Sequence, residues 1–269
     1  MRIPEAIQWI EQSGNVLAQA KITHMLEATP ADDELLDQLA ALQNDDGGFP
    51  LNGVTGRPST LNDSCNIIRH FVELEASDHP AVAVASRFIL DAQSPRGWWR
   101  ENSNLAIYSP PLWMDSESDA ALIYTTAVCS ASLALLDNPE VNVAADKANT
   151  WLLGQIANNG LLPGFRVEAT GWAMLAAVLL GHRESRPVKR MLGGLGDLLS
   201  TDWDAPSLAV MLNAAGIARI PRMTRAVTQA INLLRNLQQP SGAWLNEDGL
   251  PDPLLTAWIV RIVRRFGLR

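Results

Sequence analysis

The chain has 269 residues and two cysteines, Cys65 and Cys129, with no CxxC pair, which argues against a disulfide framework or a structural zinc site and for a reducing, cytoplasmic setting. Its 21 Lys and Arg stand against 29 Asp and Glu, and a formal net charge of −8 would repel a phosphate backbone, which excludes nucleic acid as a partner. No long apolar run follows Met1 as in a secretory signal, the most apolar stretch (169–181) falls short of the ~18–20 residues of a membrane span, and no linker of biased composition divides residues 1–269, which read as a single domain.

In chain order, a first helix is predicted over residues 4–26. Asp32, Asp33, Glu34 and Asp37 follow as a capped, acidic first helical turn; their spacing misses a DDxxD magnesium and diphosphate motif by one residue. Then comes the first of four similar turns, each a glutamine, a few turn residues, a glycine and an aromatic. They are Gln43 with Gly47 and Phe49, Gln93 with Gly97 and Trp99, Gln155 with Gly160 and Phe165, and Gln238 with Gly242 and Trp244. In the wide gap before the last of these, Thr201-Asp202-Trp203 keeps the aromatic and loses the glutamine.

An amphipathic helix precedes each turn, as in Val227, Ile231 and Leu234 at three- and four-residue steps. A helix apolar nearly all round follows it, at 63–74, 119–136, 169–180, 206–215 and 253–266. The first kind faces water on one side and the second is enclosed. An open solenoid of such hairpins would end in polar capping repeats, whereas the last segment here is strongly apolar. The pattern predicts an all-α fold, an α/α toroid of about six inner and five to six outer helices closed around an apolar central cavity.

The Q-x3-G-x-[FW] turns resemble the QW repeats of squalene and oxidosqualene cyclases, in the superfamily of toroids that also includes protein prenyltransferases, over roughly residues 30–269. That resemblance implies an isoprenoid-handling enzyme similar to a class II terpenoid cyclase, which cyclises a polyprenyl substrate by protonation and uses no cofactor. The cyclases' DxDD acid motif falls where this chain has Asp202-Trp203-Asp204-Ala205, so the resemblance makes Asp204 the acid, aided by Asp202. Ala205 replaces the fourth aspartate, and Thr256-Ala257-Trp258 stands where the cyclases place a histidine beside the acid. Read from the residues alone, Asp204-Ala205-Pro206 is a helix N-cap with proline in the first turn.

Tyr124, Trp172 and Trp258 on inner helices, with Trp203 just ahead of one, are the candidate substrate-binding residues, because aromatic faces stabilise carbocations. Asp63-Ser64-Cys65 resembles the D-x-C zinc pair of prenyltransferases, yet no inner-helix start supplies the accompanying histidine, so no metal is expected. The 103–118 segment, with Tyr108, Pro110, Pro111 and Trp113, is long enough to be a mobile cover. Cyclases of this kind commonly carry a second helical domain, which leaves room for a second helical subunit that completes the pocket. The alternatives are a non-catalytic toroid that binds an isoprenoid or a protein partner, and a prenyltransferase-like transferase.

Overall fold

The computed structural model describes residues 1–268. Twelve α-helices are found among them: α1 Ile3–Gln12, α2 Val16–Glu27, α3 Asp33–Ala40, α4 Leu61–Glu73, α5 Pro80–Asp91, α6 Asp119–Ala134, α7 Pro139–Leu153, α8 Arg166–Ala177, α9 Arg186–Leu198, α10 Ala205–Ile217, α11 Arg225–Asn236 and α12 Pro253–Arg264. Two short strands, β1 Phe49–Pro50 and β2 Ser59–Thr60, pair inside the first hairpin turn. No helix among the described residues is long and apolar enough to cross a membrane.

The even-numbered helices form the inner ring. α6, α8 and α10 are buried on nearly every face, and packing runs from α4 to α6, α8, α10, α12 and on to α2. Lys21 of α2 then reaches His70 and Glu73 of α4 and completes the circle. The odd-numbered helices are the outer wall, and one contiguous apolar cluster runs through both layers from Ile3 to Phe266. The fold is therefore an α/α toroid of six inner and six outer helices. Each hairpin returns on itself, so all six inner helices run in one direction and begin at the same mouth.

One predicted element is corrected. Residues 4–26 form two helices rather than one, because Gly14 takes a left-handed φ of +76° and Asn15 caps α2, its side chain accepting the Ala18 N–H at 2.8 Å. That break supplies both members of the sixth hairpin.

The repeated turn works as a staple. Gln43 Nε2 donates to the Gly47 carbonyl at 2.8 Å and to the Ala81 carbonyl of α5 at 3.0 Å. Gln93 does the same to Gly97 and to Ala144 of α7, and Gln238 to Gly242 and to Arg2 at the entry to α1. Each glutamine thus satisfies a turn carbonyl and adds a second bond to a carbonyl near the start of the next outer helix, which ties its hairpin to that helix. The last staple joins the final turn to the first helix, which is ring closure by the same device. The aromatic is fixed as well: Trp99 and Trp244 are fully buried, and their indole N–H groups donate to Ile89 and Leu234 carbonyls at 2.7 and 2.8 Å.

The third turn departs from its expected register. Backbone bonds from Ala157 N to Leu161 O and from Gly160 N to Ala157 O repeat those that Ser94, Trp98 and Gly97 make in the second turn. This alignment puts Ile156 and Leu162 in the glutamine and aromatic places, and Gln155 is left exposed. Leu162 N–H donates to Thr170 Oγ1 at 2.9 Å, just as Trp99 N–H donates to Thr126 and Trp244 N–H to Thr256. Arg190 of α9 takes over the staple with a 2.9 Å bond to the Ala157 carbonyl.

Candidate functional site

At the mouth where the inner helices begin, Asp204 is the N-cap of α10: it is exposed, and its Oδ1 accepts the Ser207 N–H at 2.9 Å. Asp202 is exposed in the preceding turn, and Trp203 between them is half-buried. Ser207 Oγ donates to Glu168 Oε1 at 2.5 Å and joins α10 to α8. Partial burial, then the charges of Asp204, Glu168 and Asp248, push the Glu247 carboxyl above its usual value, so carboxylates from α8, α10 and the loop before α12 share this rim.

Asp63 and Cys65 do not converge on a common point. Asp63 Oδ2 accepts from Thr60 Oγ1 at 2.7 Å and from Asn52 N at 3.3 Å as part of a capping box, whereas Cys65 Sγ faces Cys129 Sγ at 3.6 Å. Residues two apart on a helix point to different sides. Beside them lies a carboxyl that sequence reasoning missed. Glu101 is 5 % exposed and accepts the Leu61 and Asn62 N–H groups at 2.9 Å and Asn62 Nδ2 at 2.8 Å. Burial pushes its pKa up against those three bonds. It caps α4 from the start of the 103–118 loop, which is ordered by two short 3-10 turns and by Leu105 and Met114 packed on Leu51.

On the ring axis, Trp172 of α8 and Trp258 of α12 are stacked with centroids 6.0 Å apart and planes 8° from parallel. The Arg69 guanidinium of α4 lies over the Trp172 ring at 4.7 Å. Tyr124 packs edge-on against Phe165 at 5.7 Å, and burial holds its phenol well above the usual range. A cavity of about 240 Å³ opens beside the tryptophans, its wall including Lys21, Arg69, His70 and Glu73. A second space of about 40 Å³ near the opposite mouth shares Arg69, Glu73 and both tryptophans and adds Arg261 and Arg265. The expected apolar chamber is thus corrected to one that is aromatic on one side and charged on the other. The cause is that α4 turns Arg69 and Glu73, one helical turn apart, toward the axis.

Lys21 organises the charged side. Its ammonium, 8 % exposed, donates to Glu73 Oε2 at 2.6 Å and to His70 Nδ1 at 2.7 Å. His70 therefore accepts at Nδ1 and carries its proton on Nε2. Burial, followed by the nearby Lys21 and Arg69 charges, holds His70 well below its usual pKa. Burial also lowers Lys21 against the pull of Glu73. For Glu73, burial pushes upward, but Lys21, Arg261 and Arg69 together bring it below its ordinary value.

A pH dependence follows from the neutral His70. A folded-state pKa held below the unfolded value, ordinarily near 6.5, gives stability that is complete above about pH 6.5 and is lost as pH falls through the folded pKa. The slope from this residue reaches up to ~1.4 kcal/mol per pH unit. Urea midpoints between pH 7.5 and 5.5 should fall more steeply for the wild type than for His70→Gln; equal slopes would show that His70 takes up its proton in the folded state.

Comparison with protein-family models gives no match, and neither does comparison with curated proteins. Solved structures do match. A protein from Actinoplanes has 15% identity and a TM-score of 0.69 over 99% of this chain and 98% of its own. A type II terpene cyclase, MstE from Scytonema, solved in complex with geranylgeranyl dihydroxybenzoate, has 14% identity and a TM-score of 0.68 over 98% and 96%. The ent-copalyl diphosphate synthase from Streptomyces platensis has 16% identity and a TM-score of 0.63, covering 94% of this chain and 50% of that one. At these identities the likeness is one of fold, and the fold is that of terpene cyclases.

Proposed function

We propose that this chain is an isoprenoid-handling protein of the terpene-cyclase type whose ligand occupies the axial cavity. One observation carries the reading: Trp172 and Trp258, stacked 6.0 Å apart on the ring axis, both line the axial cavity. An aromatic face presented in this way stabilises positive charge by ~2 kcal/mol or more when desolvated, which is what a carbocation on a folding prenyl chain requires. In the enzymatic form of the reading, Asp204, aided by Asp202, supplies the proton at the mouth, and Tyr124, Trp172, Trp203 and Trp258 guide the cation. The fold likeness to MstE and to the copalyl diphosphate synthase supports the same class.

A second reading, the non-catalytic toroid, is favoured by Asp204 itself. Its carboxylate is exposed and committed to the Ser207 amide, whereas an acid that protonates an alkene works best shielded from water. The cavity, at about 240 Å³, is also below the ~300–1,000 Å³ of pockets that enclose drug-sized ligands. A compact ligand, or a second helical subunit over the mouth, meets that limit.

The two readings differ in what Asp204→Asn does. Incubation with geranylgeranyl diphosphate, farnesyl diphosphate and squalene is expected to give a cyclised product from the wild type and none from the variant. Product from Asp204→Asn would remove the acid assignment, since an amide cannot deliver the proton. As an N-cap alone, Asp204→Ala costs ~0.5–2 kcal/mol of stability and leaves ligand binding unchanged.

A further inference from the structure

The unusual feature of this acidic protein is the balance of charge along its axis. Lys21, Arg69, Arg261 and Arg265 line the two axial spaces against only Glu73 and Asp252. Lys21 is paired with Glu73, and Asp252 is committed to the Leu254 and Leu255 amides as the cap of α12. Among the described residues, no carboxylate lies within ion-pair distance of Arg69, Arg261 or Arg265. Two of the three, Arg261 and Arg265, line only the smaller space. Arg261 donates to the Glu73 carbonyl at 2.9 Å, and Arg265, whose charge burial disfavours, donates to Asn213 Oδ1 at 2.6 Å.

Arg69, of these three, also lines the larger cavity. It lies within α4, half-buried, with its side chain between the cavities, and among the described residues its side-chain hydrogen-bond partners are Ser132 Oγ at 3.2 Å and Asn66 Oδ1 at 3.1 Å. Its charge acts on Lys21, His70, Glu73, Tyr124 and Cys129, residues of three inner helices, as a charge near the axis would. A guanidinium taken partly out of water and left with neutral partners is costly unless an anion joins it.

We infer that Arg69 is the head-group receptor of the axial cavity and that the ligand is a small organic carboxylate, its two oxygens on the Arg69 fork and its apolar body against Trp172 and Trp258. A monocarboxylate fits better than a diphosphate because Arg69 is the one guanidinium that lines the larger cavity, and Lys21 beside it is already paired with Glu73. The planar fork matches a carboxylate in the two-bond manner that an ammonium cannot. This inference shares with the proposed function only the choice of the axial cavity as ligand site; it does not require an isoprenoid body.

The test is titration calorimetry with three probes at one ionic strength: geranic acid, geraniol and octanoate. Geranic acid should bind and geraniol should not saturate. Arg69→Met, which keeps an apolar stem on Trp172, should weaken geranic acid by about tenfold or more, with Arg69→Lys intermediate. Quenching of tryptophan emission on binding provides a second readout, and the far-ultraviolet circular dichroism of both variants shows whether they fold; should Arg69→Met not fold, Arg69→Lys carries the test. If octanoate binds as well as geranic acid, the anion site stands and the isoprenoid reading falls. If geraniol binds as tightly as geranic acid and the Arg69 variants change neither, the anion site falls and the isoprenoid reading stands. If none of the three binds, both fall.

Discussion

Gly242→Ala is expected to be among the most damaging single substitutions in the chain, because it acts where the ring closes. Gly242 has a φ of +97°, and a methyl group there would lie 2.5 Å from the Glu5 carbonyl carbon and 2.6 Å from the Ala6 nitrogen, both backbone atoms of α1. The left-handed backbone costs an alanine ~1–2 kcal/mol, and forcing the methyl into a packed contact costs a further ~1–3 kcal/mol. Because the obstructing atoms are backbone, relief requires α1 to move away from Gln238, which breaks the staple to Arg2 as well. Loss of several kcal/mol is a large part of the ~5–15 kcal/mol that a domain has. The measurement is a urea midpoint together with hydrogen exchange of residues 3–12. A variant with an unchanged midpoint and α1 still protected would mean that the last turn does not hold the ring shut.

The second large effect is expected at Glu73. Glu73→Gln leaves the enclosed Lys21 ammonium, with Arg261 and Arg69 nearby, without its carboxylate, and breaking a buried pair from one side costs ~3–5 kcal/mol. Lys21→Met should cost less, because Glu73 keeps the favourable field of Arg261 and Arg69. Removing both charges, as Lys21→Met with Glu73→Gln, should recover much of the loss, since the Lys21 ammonium is then no longer enclosed without its carboxylate. Urea denaturation of the four proteins gives the double-mutant cycle. Strictly additive losses would mean that the two charges do not depend on each other.

Much of the ring was legible because its signals are local. Gln43, Gln93 and Gln238 each stand four residues before their glycine, and that spacing is what lets one side chain reach the turn carbonyl and a neighbouring helix together. The third turn was misread for the same reason: Gln155 precedes Gly160 by five residues, and the register is carried by Ile156 and Leu162, which have no distinctive chemistry. The break at Gly14-Asn15 carried its own signal in a left-handed glycine followed by a capping residue, hidden by the helical pattern on both sides. The axial site was out of reach for a different reason. Lys21, Arg69, His70 and Glu73 belong to no motif in the sequence; only closure of the ring brings α2 against α4 and sets them side by side. Asp204 was visible as both acid and cap; its exposure at the mouth is set by the packing of α10 and was not legible in the residues around it.

The common direction of the inner helices has an electrical consequence. Each α-helix carries a dipole equivalent to about half a positive charge at its start and half a negative charge at its end, and in this ring six of them point the same way. The chain answers that alignment with charge: Glu168, Asp204 and Glu247 gather where the helices start, and Arg261 and Arg265 where α12 ends. The outer helices point the other way and offset much of this at a distance, but the axis lies nearer the inner set and keeps a polarity before any ligand arrives. A guest with charge at one end only would feel a torque on entry, so the orientation in which it settles is a property of the fold as much as of the side chain that finally grips it.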